Sequence, residues 1–275
     1  MGTLILVATP IGNLADLSPR AVEALGSADL ICCEDTRRSG RLLQHAGITS
    51  RRLRRVDEHT ETAAVVDVLQ VLEGGGTVAV ITDAGTPGIS DPGQRLVHAV
   101  ADAGHVVSAI PGPAALVMAL VISGLPTDRF VFEGFLPRTG RARHERIAEI
   151  AAERRTVVMY EAPHRIGRTM EDLRDVCGDG RRVALCRELT KLHEEVWRGS
   201  LVEAVAHVAQ REPIGEYVVV LEGAPATPAA SDDDVADLVR RAIATGSSKR
   251  DAATDVAKLT GRPKRDVYDM ALKVR

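Results

Sequence analysis

Four short apolar runs, at 4–8, 29–33, 78–82 and 106–110, alternate with stretches at about 18–26, 38–46, 61–73 and 94–103 in which apolar residues recur every three to four positions. Runs of the first kind read as strands and those of the second as amphipathic helices. Their alternation predicts a parallel or mostly parallel sheet with helices on its faces. The run Val78, Ala79, Val80, Ile81 is unbroken and rich in β-branched residues, as expected of a strand covered on both sides. A second series follows a helix at 113–123, with strands near 130–134, 156–160, 183–187, 194–198 and 217–222 and helices near 140–153, 164–176 and 201–210. Its late strands succeed one another without a helix, which predicts an antiparallel element in a separate α/β or α+β domain.

Three of these strands run directly into loops rich in Pro and Gly. The first ends in Thr9, Pro10, Ile11, Gly12, Asn13; the third opens into Asp83–Gly93 (DAGTPGISDPG); the fourth ends in Pro111, Gly112, Pro113. Ligands in open α/β sheets sit at the carboxyl ends of strands, so the three loops predict one shared cleft. Glycine there permits close backbone approach and proline restricts the loop's shape. Read as simple structure, Ser90 or Asp91 caps the helix that follows the second loop.

The segment 223–234 (GAPATPAASDDD) has the composition of an exposed linker. Beyond it lie helices at about 233–244, 248–259 and 263–273, with Ser247 or Ser248 capping the second, Thr260 and Gly261 ending it and Pro263 opening the third. The last two form a helix-turn-helix pattern. The domains expected are therefore 1–112, 113–223, a linker at 224–234 and a C-terminal helical module at 235–275.

Composition narrows the function. No apolar run approaches the length of about 20 residues that crosses a bilayer, and the N-terminus has no signal-peptide pattern, so a cytoplasmic protein that binds no membrane is expected. Cys32, Cys33, Cys177 and Cys186 show neither metal-ligand nor disulfide spacing and read as reduced thiols; no metal site is expected. The net charge of −3 does not mark a nucleic-acid binder, yet ten Lys or Arg stand against four Asp from Arg240 to Arg275. Lys249, Arg250, Arg262, Lys264 and Arg265 cluster at the turns of the tail and are the candidate nucleic-acid contacts, the alternative being a helical appendage that packs on the body or on a second subunit. With 3% aromatics, such binding rests on backbone phosphates rather than base stacking.

No G-x-G-x-x-G follows the first strand and no G-x-x-x-x-G-K-[ST] occurs, which disfavours a dinucleotide fold and a P-loop NTPase. Ser90 lacks the nucleophile-elbow pattern; a hydrolase built on Ser90 and His164 is a minor alternative. Charged clusters stand at strand ends in both halves: Glu34, Asp35 and Arg37 in the first, YEAPHR at 160–165 and CRELTKLHEEV at 186–196 in the second.

The motifs LVATPIGNL, CEDTRRSGRLL, ITDAGTPGISDPG, PGPAA, RFVFEGFLP, YEAPHR and CRELTKLHEEV, in this order, strongly resemble the ribosomal RNA small subunit methyltransferase I family, the bacterial 2′-O-ribose methyltransferases of 16S rRNA within the tetrapyrrole (corrin/porphyrin) methylase superfamily. The resemblance spans the whole chain, tail included. It implies two α/β domains of the tetrapyrrole methylase type with S-adenosylmethionine in the cleft between them, a homodimer, and methyl transfer to a cytidine of the small ribosomal subunit, cytidine 1402 in rRNA numbering. It further implies cofactor contacts at Pro10, at Asp83, Ala84 and Gly85, and at Ala114 and Ala115, with Tyr160 and Leu189 closing the pocket from the second domain.

Such chemistry requires positioning and removal of a hydroxyl proton. Glu188 or Glu34 is the candidate general base, and Lys191 and Arg37 are candidate partners of phosphate or of the developing oxyanion; each also has a reading as a structural ion pair. The alternatives are a small-molecule tetrapyrrole methyltransferase, which has no need of a basic tail, and a non-enzymatic ribosome-assembly factor, which has no use for three Gly/Pro loops.

Overall fold

The computed structural model describes residues 1–49, 52–57, 60–212, 214–225 and 231–274. They form two compact units, Met1–Ala224 and Pro225–Arg275. The first unit contains two five-stranded sheets.

The first sheet is built from β1 (Thr3–Val7), β2 (Leu30–Cys33), β3 (Leu53–Arg55), β4 (Thr77–Val80) and β5 (Val106–Ile110), interleaved with α1 (Pro19–Ser27), α2 (Thr36–His45), α3 (Glu61–Glu73) and α4 (Gln94–Asp102). All its pairings are parallel, in the order β3-β2-β4-β1-β5. Because side chains alternate across a strand, Leu4, Leu30, Cys32, Val78 and Val80 pack on α3 and α4, while Val7, Ile31, Cys33 and Ala79 pack on α1 and α2. The short β3 was not expected from the sequence: it lies at the sheet edge, and its arginines pair with Asp67 and Asp57 at 2.9 and 3.0 Å instead of showing an apolar pattern.

β1 lies between β4 and β5. The loops that follow these three strands are therefore neighbours at the carboxyl edge of the sheet. Thr9 and Gly85 exchange backbone hydrogen bonds (2.8 and 3.1 Å), and the Thr86 hydroxyl donates to the Pro113 carbonyl at 3.2 Å. Three loops separated in sequence thus form one wall.

The expected cap of α4 is replaced. Gly93, at φ +135°, is the N-cap residue and supplies no side chain. Instead Glu61, only 6% exposed, reaches across from α3, and its Oε1 accepts from the N–H groups of Gly93, Arg95 and Leu96 at 3.0, 2.9 and 3.2 Å. A carboxylate at a helix N-terminus is favoured by both hydrogen bonding and the helix dipole. Glu61→Ala is expected to destabilise the protein by about 2 kcal/mol, read from urea unfolding, because three N–H groups, two of them buried, lose their acceptor.

α5 (Ala115–Ile122) leads to the second sheet, formed by β6 (Phe130–Phe135), β7 (Thr156–Glu161), β8 (Arg182–Arg187), β9 (Glu195–Ser200) and β10 (Tyr217–Leu221), with α6 (Gly140–Ala152), α7 (Ile166–Cys177) and α8 (Leu201–Ala209). Its order is β6-β7-β10-β8-β9; β6 and β7 run parallel, and β10 is antiparallel to both β7 and β8. Val157, Met159, Val183 and Leu185 face α6–α8, whereas Val158, Ala184, Cys186 and Val218 face α5. Ile11, from the loop after β1, joins this second core and ties the sheets together.

The C-terminal unit holds α9 (Asp232–Ala244), α10 (Lys249–Thr260) and α11 (Lys264–Lys273), packed through Val235, Val239, Val256 and Val267. The linker expected at 224–234 includes 226–230, which lie outside the described residues, and it ends earlier than expected: Asp232–Asp234 form the first turn of α9, capped by Ser231. Ser248 caps α10 and Gly261 ends it at φ +66°. Among the described residues no helix is long and apolar enough to cross a membrane.

Candidate active site

A cavity of about 470 Å³ opens between the two sheets, within the range of small-molecule sites. The first half contributes Ile11, Glu34, Arg38, the stretch Asp83–Thr86, Ile89–Asp91, Ala114 and Ala115; the second contributes Phe135, Tyr160, Cys186, Leu189, Lys191 and Val218. Tyr160, Val218 and Cys186 lie side by side because β10 pairs with β7 on one flank and β8 on the other. Phe132 and Phe135 hold the Tyr160 ring at centroid distances of 5.0 and 5.5 Å.

The loop at 188–191 is locally strained. Glu188 and Thr190 adopt φ +51° and +66°, a region costly for residues with side chains and maintained only where surroundings enforce it. Here the Asn13 N–H donates to Thr190 Oγ1 at 3.2 Å, and Glu194 accepts from the Thr190 N–H at 2.6 Å. Lys191 Nζ donates to Glu188 and Glu216 at 2.8 and 2.9 Å. Burial opposes both charges of the Lys191–Glu188 pair, yet these bonds hold the Glu188 carboxyl below its ordinary range and the Lys191 ammonium above its own.

Of the expected cofactor residues, Asp83, Ala84, Gly85, Ala114, Ala115, Tyr160 and Leu189 line the cavity, whereas Pro10 lines a neighbouring one. Glu34 and Lys191 line it as well. Glu188 stands behind Lys191 and not on the wall, its Oε1 also accepting from the Glu216 N–H at 3.0 Å. Arg37 points elsewhere: α2 begins at Thr36, so the next residue, Arg38, is turned to the cavity and pairs with Asp83 at 3.1 Å. Asp35 caps α2 through the N–H groups of Arg37 and Arg38. In YEAPHR, Arg165 pairs with the buried Glu161 at 3.2 Å, and His164 is exposed.

Asp91, which the sequence suggested as a helix cap, is a cavity residue instead. The loop turns at Gly93 and releases it. Burial, aided by the negative charges of Glu34 and Asp83 and opposed by a hydrogen bond with the Thr82 hydroxyl, pushes the Asp91 carboxyl up to about 6. Burial and the Asp83 charge likewise raise Glu34. The only sequence signal for this cluster was the position of Asp91 in the same loop as Asp83.

The raised Asp91 carboxyl has a consequence for stability. The folded protein holds this proton more tightly than the unfolded chain, so its contribution is complete below pH 3.8 and is lost as pH rises through about 6. Asp91→Asn is therefore expected to gain stability over the parent at pH 8 but not at pH 3.5, as read from the difference between their urea midpoints.

These walls suit S-adenosylmethionine. Asp83 Oδ1 is buried and has no hydrogen-bond partner, so it offers an acceptor to a ligand N–H or hydroxyl. The clustered carboxylates of Glu34, Asp83 and Asp91 suit a cation, and the small Ala84, Ala114 and Ala115 let backbone approach an adenosine closely.

The comparisons agree with this geometry. The profile of the Tetrapyrrole (Corrin/Porphyrin) Methylases matches residues 3–205, and that of the RsmI C-terminal HTH domain matches 229–275. In solved structures the fold recurs in the methyltransferase CobJ (TM-score 0.61, 21% identity, 82% of this chain and 95% of that one) and in cobalt precorrin-4 methyltransferase CbiF (TM-score 0.59, 14% identity, 80% and 94%). Two lobes of this type with a cleft between them define a tetrapyrrole methylase fold. Among curated proteins, ribosomal RNA small subunit methyltransferase I from Synechocystis is 45% identical over 100% of this chain and 99% of its own length, and that from Escherichia coli O157:H7 is 41% identical over 99% and 95%. A relative of the same name from Thermotoga maritima, 43% identical, is matched over 223 residues, 81% of this chain and 99% of its own. The chain belongs to the ribosomal RNA small subunit methyltransferase I family of tetrapyrrole methylases.

Of the five basic residues singled out in the tail, Lys249 donates to the Val274 carbonyl at 2.7 Å and Arg262 pairs with Asp232, so both help hold the module together. Arg250, Lys264 and Arg265 are exposed.

Proposed function

We infer that this protein transfers a methyl group from S-adenosylmethionine to the ribose 2′-oxygen of a cytidine in 16S rRNA of the small ribosomal subunit, in the cytoplasm. The observation that carries the reading is the full-length similarity, through both units, to relatives named ribosomal RNA small subunit methyltransferase I. The bound cofactor supplies an electrophilic methyl on a sulfonium. Asp83, Ala84, Gly85, Ala114, Ala115, Tyr160 and Leu189 hold it, and Pro10 braces the first loop. Glu34 and Asp91 are the carboxylates on the wall able to take the hydroxyl proton, Asp91 with an affinity near working pH. Lys191, kept cationic by Glu188, stabilises negative charge on the oxygen. The exposed bases Arg250, Lys264 and Arg265 contact RNA phosphates. A second copy covers the exposed Val117 and Val121 of α5 in a homodimer.

The test is transfer of labelled methyl to purified small subunits lacking the modification, comparing the full chain with one ending at Ala230. Label on a cytidine 2′-oxygen that falls more than tenfold on truncation, with cofactor affinity retained, is the expected result. No incorporation despite cofactor binding would favour a small-molecule tetrapyrrole substrate, and no cofactor binding would favour a non-enzymatic assembly factor.

A further inference from the structure

A second cavity, of about 440 Å³, lies beside the cleft, between the loop after β1 and the face of α2. Pro10, Leu14 and Leu42 give it an apolar side; Arg38, Arg41 and Ser39 give it a polar one. Arg38 and Asp83 line both cavities, so their ion pair of 3.1 Å stands between the two. Arg41 is exposed one turn after Arg38 and therefore on the same side of the helix. Ser39 is 3% exposed, and its hydroxyl has no hydrogen-bond partner beyond the weakly accepting thiol of Cys33.

Ser39 therefore belongs to the buried face of α2, with Leu43, and the arginines to its other side. Two guanidiniums one turn apart on α2 and lining the same cavity select an anion, and a guanidinium fork matches phosphate. The N-terminal N–H groups of α2 are not the anion site, because Asp35 already takes those of Arg37 and Arg38. The apolar side fits the faces of a sugar. We propose that this cavity seats a ribose-phosphate unit of the RNA strand next to the nucleotide being methylated, with Arg38 and Arg41 on the phosphate. The inference rests on RNA being the substrate. Arg38 is then shared between the phosphate and Asp83, which couples strand binding to the charge balance of the cofactor cleft.

Arg41→Gln and Ser39→Ala in the full chain test this against small subunits lacking the modification. Arg41→Gln is expected to raise KM for subunits about tenfold with kcat within twofold, the loss of one charge-assisted hydrogen bond. The slope of log kcat/KM against log salt should fall by about one, as for one lost phosphate contact. Ser39→Ala, a change on the buried face of the same helix, is the control and should leave KM for subunits unchanged. Cofactor Kd, measured by calorimetry, should be unchanged in both. Unchanged KM and salt slope in Arg41→Gln, where the unsubstituted chain methylates RNA, would overturn the site alone, and so would a loss of cofactor affinity in Arg41→Gln, since Arg41 lies outside the cleft. Absence of transfer by the unsubstituted chain would overturn the reading of the substrate, and this site with it.

Discussion

Asp83→Ala is expected to weaken S-adenosylmethionine binding by about 10- to 150-fold, the equivalent of one hydrogen bond to a charged group of about 1.5–3 kcal/mol. The physical reason is the state of the carboxylate. One oxygen pairs with Arg38, while the other is buried without a partner at the wall of the cleft. The fold should survive the change. Arg38 is 62% exposed at its side chain, and exposed ion pairs contribute about 0–1 kcal/mol, so its loss of Asp83 is small. Calorimetry gives the affinity and thermal melting the stability; unaltered affinity would refute the assignment. A second readout is electrostatic. Asp83 is one of the charges that raise Asp91, so Asp83→Asn should lower the pH midpoint of the Asp91 stability difference.

Gly12→Ala should impair the enzyme through the closure between its two halves. A methyl at Gly12 would lie under 3.0 Å from Lys191 Cγ, 2.8 Å from Thr190 Oγ1 and 3.2 Å from the Leu189 carbonyl. None of these yields easily. Lys191 is held by two carboxylates, and Thr190 is already at φ +66°. Overpacking of this kind costs about 1–3 kcal/mol, and each kcal/mol lowers Tm by about 2–4 °C at this size. The functional loss should be larger, because Ile11, Leu189 and Lys191 all line the cleft and move apart together. We expect kcat/KM to fall more than tenfold. Gly40→Ala on α2, where an added methyl meets nothing within 4 Å, is the control and should leave Tm unchanged or raised. Equal behaviour of the two variants would show that this contact does not hold the cleft.

The site was legible where it is made of backbone. The loops at 9–13, 83–93 and 111–113 announce themselves through Gly and Pro, and Asp83, Ala84, Gly85, Ala114 and Ala115 do line the cavity. Long side chains were harder to place. Arg37 and Arg38 are adjacent, and only the phase of α2, fixed by its start at Thr36, decides which of them turns inward. Glu188 and Lys191 were both expected at the reaction centre, but the turn at 188–191 puts the ammonium on the wall and the carboxylate behind it. Glu61 was invisible because the helix it caps begins 33 residues later, at Gln94.

The sequence by itself determined nearly every strand and helix, the parallel character of the first half, the antiparallel late strands and the helical tail. These follow from local periodicity, caps and turn residues, which short stretches of chain express on their own. Tertiary structure alone decided that β1 lies between β4 and β5, that Ile11 enters the core of the second sheet, and that Glu34, Asp83 and Asp91 share one cavity. Strand order and convergence of side chains depend on contacts between residues far apart in the chain. No periodicity records such contacts, and only packing of both sheets around a common cleft selects them.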